Sequence, residues 1–192
     1  LPWVACSEFL PDLNVPYVSI DHRKAAQDAV QYLVNQGHRR IGLINTDERF
    51  LYARQRRLGY ETALQRAGLE PDPALNIATG PRGTDYVHGA QAAAALLALE
   101  RQPTAIFAVS DRLAIGAMKT LRKAGRRIPA DVAVVGFDNS PVGEYSEPAL
   151  STVAQPARQI GAVASEMLLQ RLRGESPSSR TMPHQLILRD SA

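Results

Sequence analysis

Three pairs of polar residues, Asn45-Thr46, Ser110-Asp111 and Asp138-Asn139, each follow a short apolar run, and Arg56 opens the helical segment after the first of them. Together they supply amides, hydroxyls, carboxylates and a guanidinium, a set suited to a polyhydroxylated small molecule. A guanidinium fork and a carboxylate each hold vicinal hydroxyls through charge-assisted hydrogen bonds. Each residue also has a plainer structural reading. Ser110 or Asp111 caps the helix that follows, and for Asp111 capping outweighs ligand contact. Asn139 either starts a turn or meets a ligand. Asp138, directly after a buried strand, is read as functional.

Signatures of catalysis are missing. The chain contains no Walker loop, no G-x-G-x-x-G, no G-x-S-x-G and no H-E-x-x-H. Gly80-Pro81-Arg82-Gly83 has the look of a phosphate cradle, but Pro81 removes a backbone N–H where one is needed. His22, His38, His88 and His184 show no ligand spacing and are read as surface or capping residues. Cys6 is the sole cysteine, which excludes an internal disulfide framework and a multi-cysteine zinc site. The expectation is a binding protein rather than an enzyme, with no cofactor and no metal.

The elements that position these residues follow from hydrophobic period. Ala26, Ala29, Val30, Leu33 and Val34 trace one helical face, and Gly37 ends it. Residues 41–44 form a buried strand. Tyr60, Ala63, Leu64 and Ala67 mark a second helix, closed by Gly68 and the Pro71/Pro73 pair. A weaker strand lies near 75–79, then an Ala-rich helix over 86–99. Residues 104–109 read as a strand, followed by a helix on Ala114, Ala117, Met118 and Leu121. The most hydrophobic strand is 132–137. After a loop over 140–149 come a short strand at 150–154, a helix on Ile160, Val163, Ala164, Met167 and Leu168, a polar loop at 174–180 and a last strand at 185–188. Strands alternating with helices imply a parallel α/β layer, and completely apolar strands imply helices on both of its faces. Ligands of such sheets sit beyond the carboxyl ends of the strands, where the polar pairs fall.

Composition agrees with a folded domain. The chain has 192 residues, 45% hydrophobic and 21% charged, which excludes disorder, and no apolar run approaches the length of a membrane span. A net charge of +3 is too small to mark this segment as nucleic-acid binding on its own. Gly37-His38-Arg39-Arg40 reads as a polar turn, and Arg122, Lys123, Arg126 and Arg127 as a solvated face at a helix C-terminus. The apolar start at Leu1, without an initiating Met or a signal peptide, is read as a cut through a longer protein.

Several phrases occur in order along nearly the whole chain: Val15-Pro16-Tyr-Val-Ser-Ile-Asp21, Gly37-His38-Arg39-Arg40-Ile41-Gly42, Arg56-x-x-Gly59-Tyr60, Pro103-Thr104-Ala105-Ile106-Phe107, Ser110-Asp111-x-x-Ala114-x-Gly116-Ala117, Ile128-Pro129-x-Asp131-Val132-x-Val134-Val135-Gly136-Phe137-Asp138-Asn139, Pro148-x-Leu150-Ser151-Thr152-Val153-x-Gln155-Pro156 and Leu186-Ile187-x-Arg189. The set resembles the effector-binding core of the LacI/GalR family of bacterial transcription regulators. Its opening, Ala5-Cys6-Ser7-Glu8-Phe9-x-Pro11, resembles that of cytidine-responsive repressors. The resemblance implies an α/β, type I periplasmic-binding-protein-like fold of two parallel-sheet lobes joined by three crossovers, the first lobe incomplete here. Residues 1–21 and 150–174 would belong to the N-terminal lobe, 22–149 and 175–192 to the C-terminal lobe. It implies a cytoplasmic homodimer that does not engage a membrane. Its effector would be a small nucleoside, purine or sugar, and operator DNA would be read by a headpiece absent from this sequence. By the same resemblance Arg56 is the effector-clamping arginine, Asp138 the hydroxyl-binding aspartate and Ser110 a polar contact. Gln155 and Ser7 fall on cleft positions of the N-terminal lobe, and Tyr52 falls near Arg56. Thr84 stands where many members carry an aromatic that stacks on the effector, which counts against a base as ligand unless Tyr86 substitutes. The rival within this fold is a periplasmic sugar-binding protein of a transport system.

Overall fold

A computed structural model describes residues 1–9, 12–81 and 83–192. Pro11 of the opening phrase and Arg82 of the glycine-flanked loop lie outside the described residues. Among the described residues two sheets are present. The smaller is parallel, in the order β1 (Ala5–Cys6), β2 (Tyr17–Ile20), β8 (Arg180–Met182). The larger holds six strands in the order β4 (Asn76–Ala78), β3 (Ile41–Asn45), β5 (Ala105–Ala108), β6 (Ala133–Asp138), β7 (Ser151–Ala154), β9 (Gln185–Ile187), all parallel except β9, which runs against β7.

The central strands are buried because helices cover both faces. Helices α1 (His22–Asn35) and α2 (Leu51–Arg66) pack on each other, as do α3 (Tyr86–Leu97) and α4 (Asp111–Lys123). On β6, Phe137 touches His22 and Arg56 of the first pair, while the α-carbon of Gly136 faces Asp111 and Ala114 of the second. Adjacent strand residues point to opposite faces, so the two pairs lie on opposite sides of the sheet. A one-turn helix, α5 (Pro141–Glu144), interrupts the loop after β6, and α6 (Ala157–Leu172) packs on β1 and β2 of the smaller sheet.

The chain crosses between the sheets three times: after β2, after β7 and between β8 and β9. This corrects the division expected from the resemblance. Ser151–Ala154 pairs with β6, so the larger sheet continues past residue 150. Arg180–Met182 pairs with β2, so the smaller sheet continues past residue 174. β8 starts at Arg180, the last residue of the expected polar loop, and its Arg180 and Thr181 are exposed.

Asp111 is neither cap nor ligand contact. Ser110 caps α4, its Oγ accepting from the Leu113 N–H at 3.3 Å. Asp111 is fully buried and accepts from the Ser140 N–H and the Thr152 hydroxyl, each at 2.5 Å, which ties α4 to the loop after β6 and to β7. Burial pushes its carboxyl up to about 6. Because the folded form holds its proton to a higher pH than the unfolded chain, Asp111 makes stability fall as pH rises through that range. Between about pH 5 and pH 7, urea unfolding is expected to show the stability of wild type relative to Asp111→Asn falling by about 1 kcal/mol.

The α3–α4 contact is set by two glycines. A Cβ at Gly116 would run into the Tyr86 carbonyl, and one at Gly89 into the Leu113 carbonyl. Gly116→Ala is expected to cost about 1–3 kcal/mol in urea unfolding. Gly161→Ala in α6, where nothing lies within 4 Å of the added methyl, is expected to stabilise by about 0.4–1 kcal/mol.

Candidate functional site

Arg56 is 3% exposed although its guanidinium stays charged. It projects from the second turn of α2 toward the carboxyl ends of β5 and β6. Nη1 donates to the Val109 carbonyl at 2.5 Å and lies 3.6 Å from Asp138 Oδ1. Nε and Nη2 approach His22 Nδ1 at 3.4 and 3.2 Å. The guanidinium carbon sits 3.4 Å from the centre of the Phe137 ring and 4.9 Å from that of Tyr52, within range of the cation–π attraction. Burial lowers its pKa to about 10, opposed by the Asp138 charge.

His22 corrects the reading of all four histidines as surface or capping residues. It is 6% exposed, and burial beside Arg56 holds its pKa down at about 3, so the ring is neutral. A guanidinium has no acceptor, so Nδ1 must accept and Nε2 must carry the proton. Nε2 then donates to Ser19 Oγ at 3.3 Å, and that hydroxyl donates to the Ser7 carbonyl at 2.7 Å. A continuous chain of hydrogen bonds thus runs from Arg56, against the larger sheet, to Ser7 at the end of β1.

Asp138 ends β6 with φ at +115° and Asn139 follows at +53°; Ser7 has +67°. Left-handed backbone at non-glycine residues costs of order 1 to 3 kcal/mol each and clusters where geometry serves a ligand. Gln155, just after β7, donates its amide to Asp138 Oδ1 at 2.7 Å. Burial raises the Asp138 carboxyl, opposed by Arg56 and by the Gln155 hydrogen bond. Among the described residues nothing donates to Oδ2, which leaves it as an acceptor at the cavity.

Glu8 supplies what α2 lacks. Phe50, at the N-cap, makes no side-chain capping bond, and Glu8 accepts instead from the Leu51 N–H at 2.5 Å and the Tyr52 N–H at 3.3 Å. A carboxylate there also meets the positive end of the helix dipole. Like the histidine chain, this contact joins the region of the smaller sheet to a helix of the larger.

These groups surround a cavity of ≈ 460 Å³ between the end of β1 and the carboxyl ends of β3, β5 and β6. Ser7, Tyr52, Arg56, Ser110, Asp138 and Gln155, the six residues selected from the sequence, all line it. Thr46, one of the strand-end residues, lines it too, as do Glu8, His22 and Arg112, which carried no site reading in the sequence. Thr84 lines it, but Tyr86 does not, so Tyr86 does not replace the missing aromatic. Two strand-end amides serve structure: Asn45 holds Glu48 and the Ala53 carbonyl, and Asn139 accepts from Arg189. No group of three or more His, Cys, Asp or Glu suited to a metal occurs among the described residues.

Comparison with known proteins gives this geometry its context. A family model described as a periplasmic binding protein-like domain matches residues 30–192. The "HTH-type transcriptional repressor CytR" of Escherichia coli K12 is 40% identical over 192 residues, covering 99% of this chain and 55% of that protein. The chain spans little more than half the length of the curated relatives it matches. A solved regulatory protein of the LacI family from Chloroflexus aggregans superposes with a TM-score of 0.92 at 34% identity, covering 100% of this chain and 68% of that one. A structure described as a transcriptional regulator CelR–cellobiose complex gives 0.91 at 34% identity, covering 98% and 57%. Matched over most of its length by sequence and by structure, the chain belongs to the LacI family of transcriptional regulators, as its periplasmic binding protein-like domain.

Proposed function

We propose that this chain is the effector-binding part of a ligand-responsive transcriptional repressor, its cavity holding a small hydroxyl-rich nucleoside or sugar. The observation that carries this is the placement of Arg56 and Asp138 side by side on one cavity that both sheets border. Asp138 Oδ2 accepts from ligand hydroxyls, Arg56 donates, and Ser110, Tyr52, Gln155 and Ser7 complete the lining. Operator DNA is read by a segment outside residues 1–192, in a cytoplasmic homodimer. Among the described residues no helix is long and apolar enough to cross a membrane.

A ligand that touches Ser7 on the side of the smaller sheet and Gln155, Asp138 and Arg56 on the side of the larger favours one arrangement of the two sheets. Only that difference in affinity shifts the population between DNA-bound and released protein. The CelR structure, described as a cellobiose complex, supports a sugar as the class of ligand in this fold.

Calorimetric titration with nucleosides and pentoses tests the assignment. Asp138→Asn and Arg56→Ala are each expected to weaken binding by about 10- to 100-fold, the worth of a hydrogen bond to a charged group. A ligand-induced rise in melting temperature should vanish in parallel. Unchanged affinity in both variants removes these residues from the site. Glu8→Ala is expected to lower stability by about 1 kcal/mol through loss of the α2 cap and to weaken ligand binding as well, read by urea unfolding and calorimetry. Full ligand affinity in that variant would show that the Glu8 contact does not favour the binding arrangement.

A further inference from the structure

We infer that the hydroxyl-rich ligand carries a negative group, a carboxylate or a phosphoryl, seated on a subsite made by Thr46, Ser110 and Arg112. This deepens the effector-binding reading and rests on it.

Thr46 is 1% exposed, lines the cavity, and its hydroxyl has no hydrogen-bond partner among the described residues. A buried hydroxyl left unpaired is costly, so such a group at a cavity wall points to an absent partner. Thr46 follows β3 and Ser110 follows β5. The pairing of Ile44 with Ala108, continued by the Val109 N–H bond to the Ile44 carbonyl at 3.0 Å, sets them side by side at the carboxyl edge of the sheet. Ser110 Oγ already accepts from Leu113, so its hydroxyl proton is left to donate outward.

Arg112 stands on the first turn of α4, exposed and lining the same cavity. Glu8 is engaged by two N–H groups of α2 and Asp138 Oδ1 by Arg56 and Gln155, while Arg112 stands near enough to Asp138 for its charge to lower that carboxyl's pKa. Among the described residues no carboxylate comes within ion-pairing distance of Arg112. The corner therefore combines two hydroxyls, a full positive charge and the positive end of a helix of 13 residues, all favouring an anion. A neutral sugar would offer that charge no anion beyond the Asp138 carboxylate whose pKa it already lowers.

The test is calorimetric titration of the full-length protein with matched neutral and anionic pairs: ribose with ribose 5-phosphate, glucose with glucuronate and with glucose 6-phosphate, cytidine with cytidine 5′-monophosphate. In at least one pair the anionic member is expected to bind at least about tenfold tighter. That ratio should shrink as salt rises, fall toward one in Arg112→Gln, and decrease in Thr46→Val. The uronate and phosphate arms distinguish the two anionic groups. Binding without anionic preference, or a preference that survives Arg112→Gln, overturns the anion subsite and leaves the effector reading standing. Failure of every member to bind overturns both.

Discussion

A guanidinium buried at the junction of two sheets constrains everything around it. Arg56 cannot shed its charge at neutral pH, and an uncompensated ion in that position would cost several kcal/mol. The surroundings answer with the Val109 carbonyl, the neutral Nδ1 of His22, the Asp138 carboxylate and the face of Phe137. These partners come from the ends of β5 and β6 and from the first residue of α1. One side chain therefore fixes the relative position of three element ends, and the cavity is what remains between them.

The same group reaches the smaller sheet through His22 and Ser19 to the Ser7 carbonyl, while Glu8 reaches back to the start of α2. Both links join β1 and β2 to the helices of the larger sheet, and both border the cavity. The residues with left-handed backbone at its rim, Ser7 and Asp138, mark where the chain is held out of its preferred conformation. A ligand in this position touches the parts whose separation changes when the sheets move, which is the requirement for binding at one site to be felt at another.

The larger sheet was legible in the sequence because its strands are continuous apolar runs and its helices keep a clean period. Ser110 and Asp138 were legible because they directly follow buried strands, where ligands of such sheets sit, and Arg56 because it lies near the start of the helix after the first of those strands. Other features depend on partners distant in sequence. Strand β8 is three residues, and it exists because Val18 pairs with Arg180. Helix α2 starts earlier than the apolar period suggested, since its cap comes from Glu8 rather than from a neighbouring side chain. His22 carries no spacing signal, and only its burial against Arg56 reveals it. Asp111 has the sequence position of a cap, but its carboxylate turns inward to Ser140 and Thr152.

Thermodynamic coupling between the cavity and the operator is the most direct measure of what these contacts do. Ligand affinity of the full-length protein, determined by calorimetry with and without its operator duplex, should differ by about 5- to 150-fold, and the ligand should change operator affinity by the same factor. Equal ligand affinity in the presence and absence of operator would contradict the proposed role of the cavity in regulation.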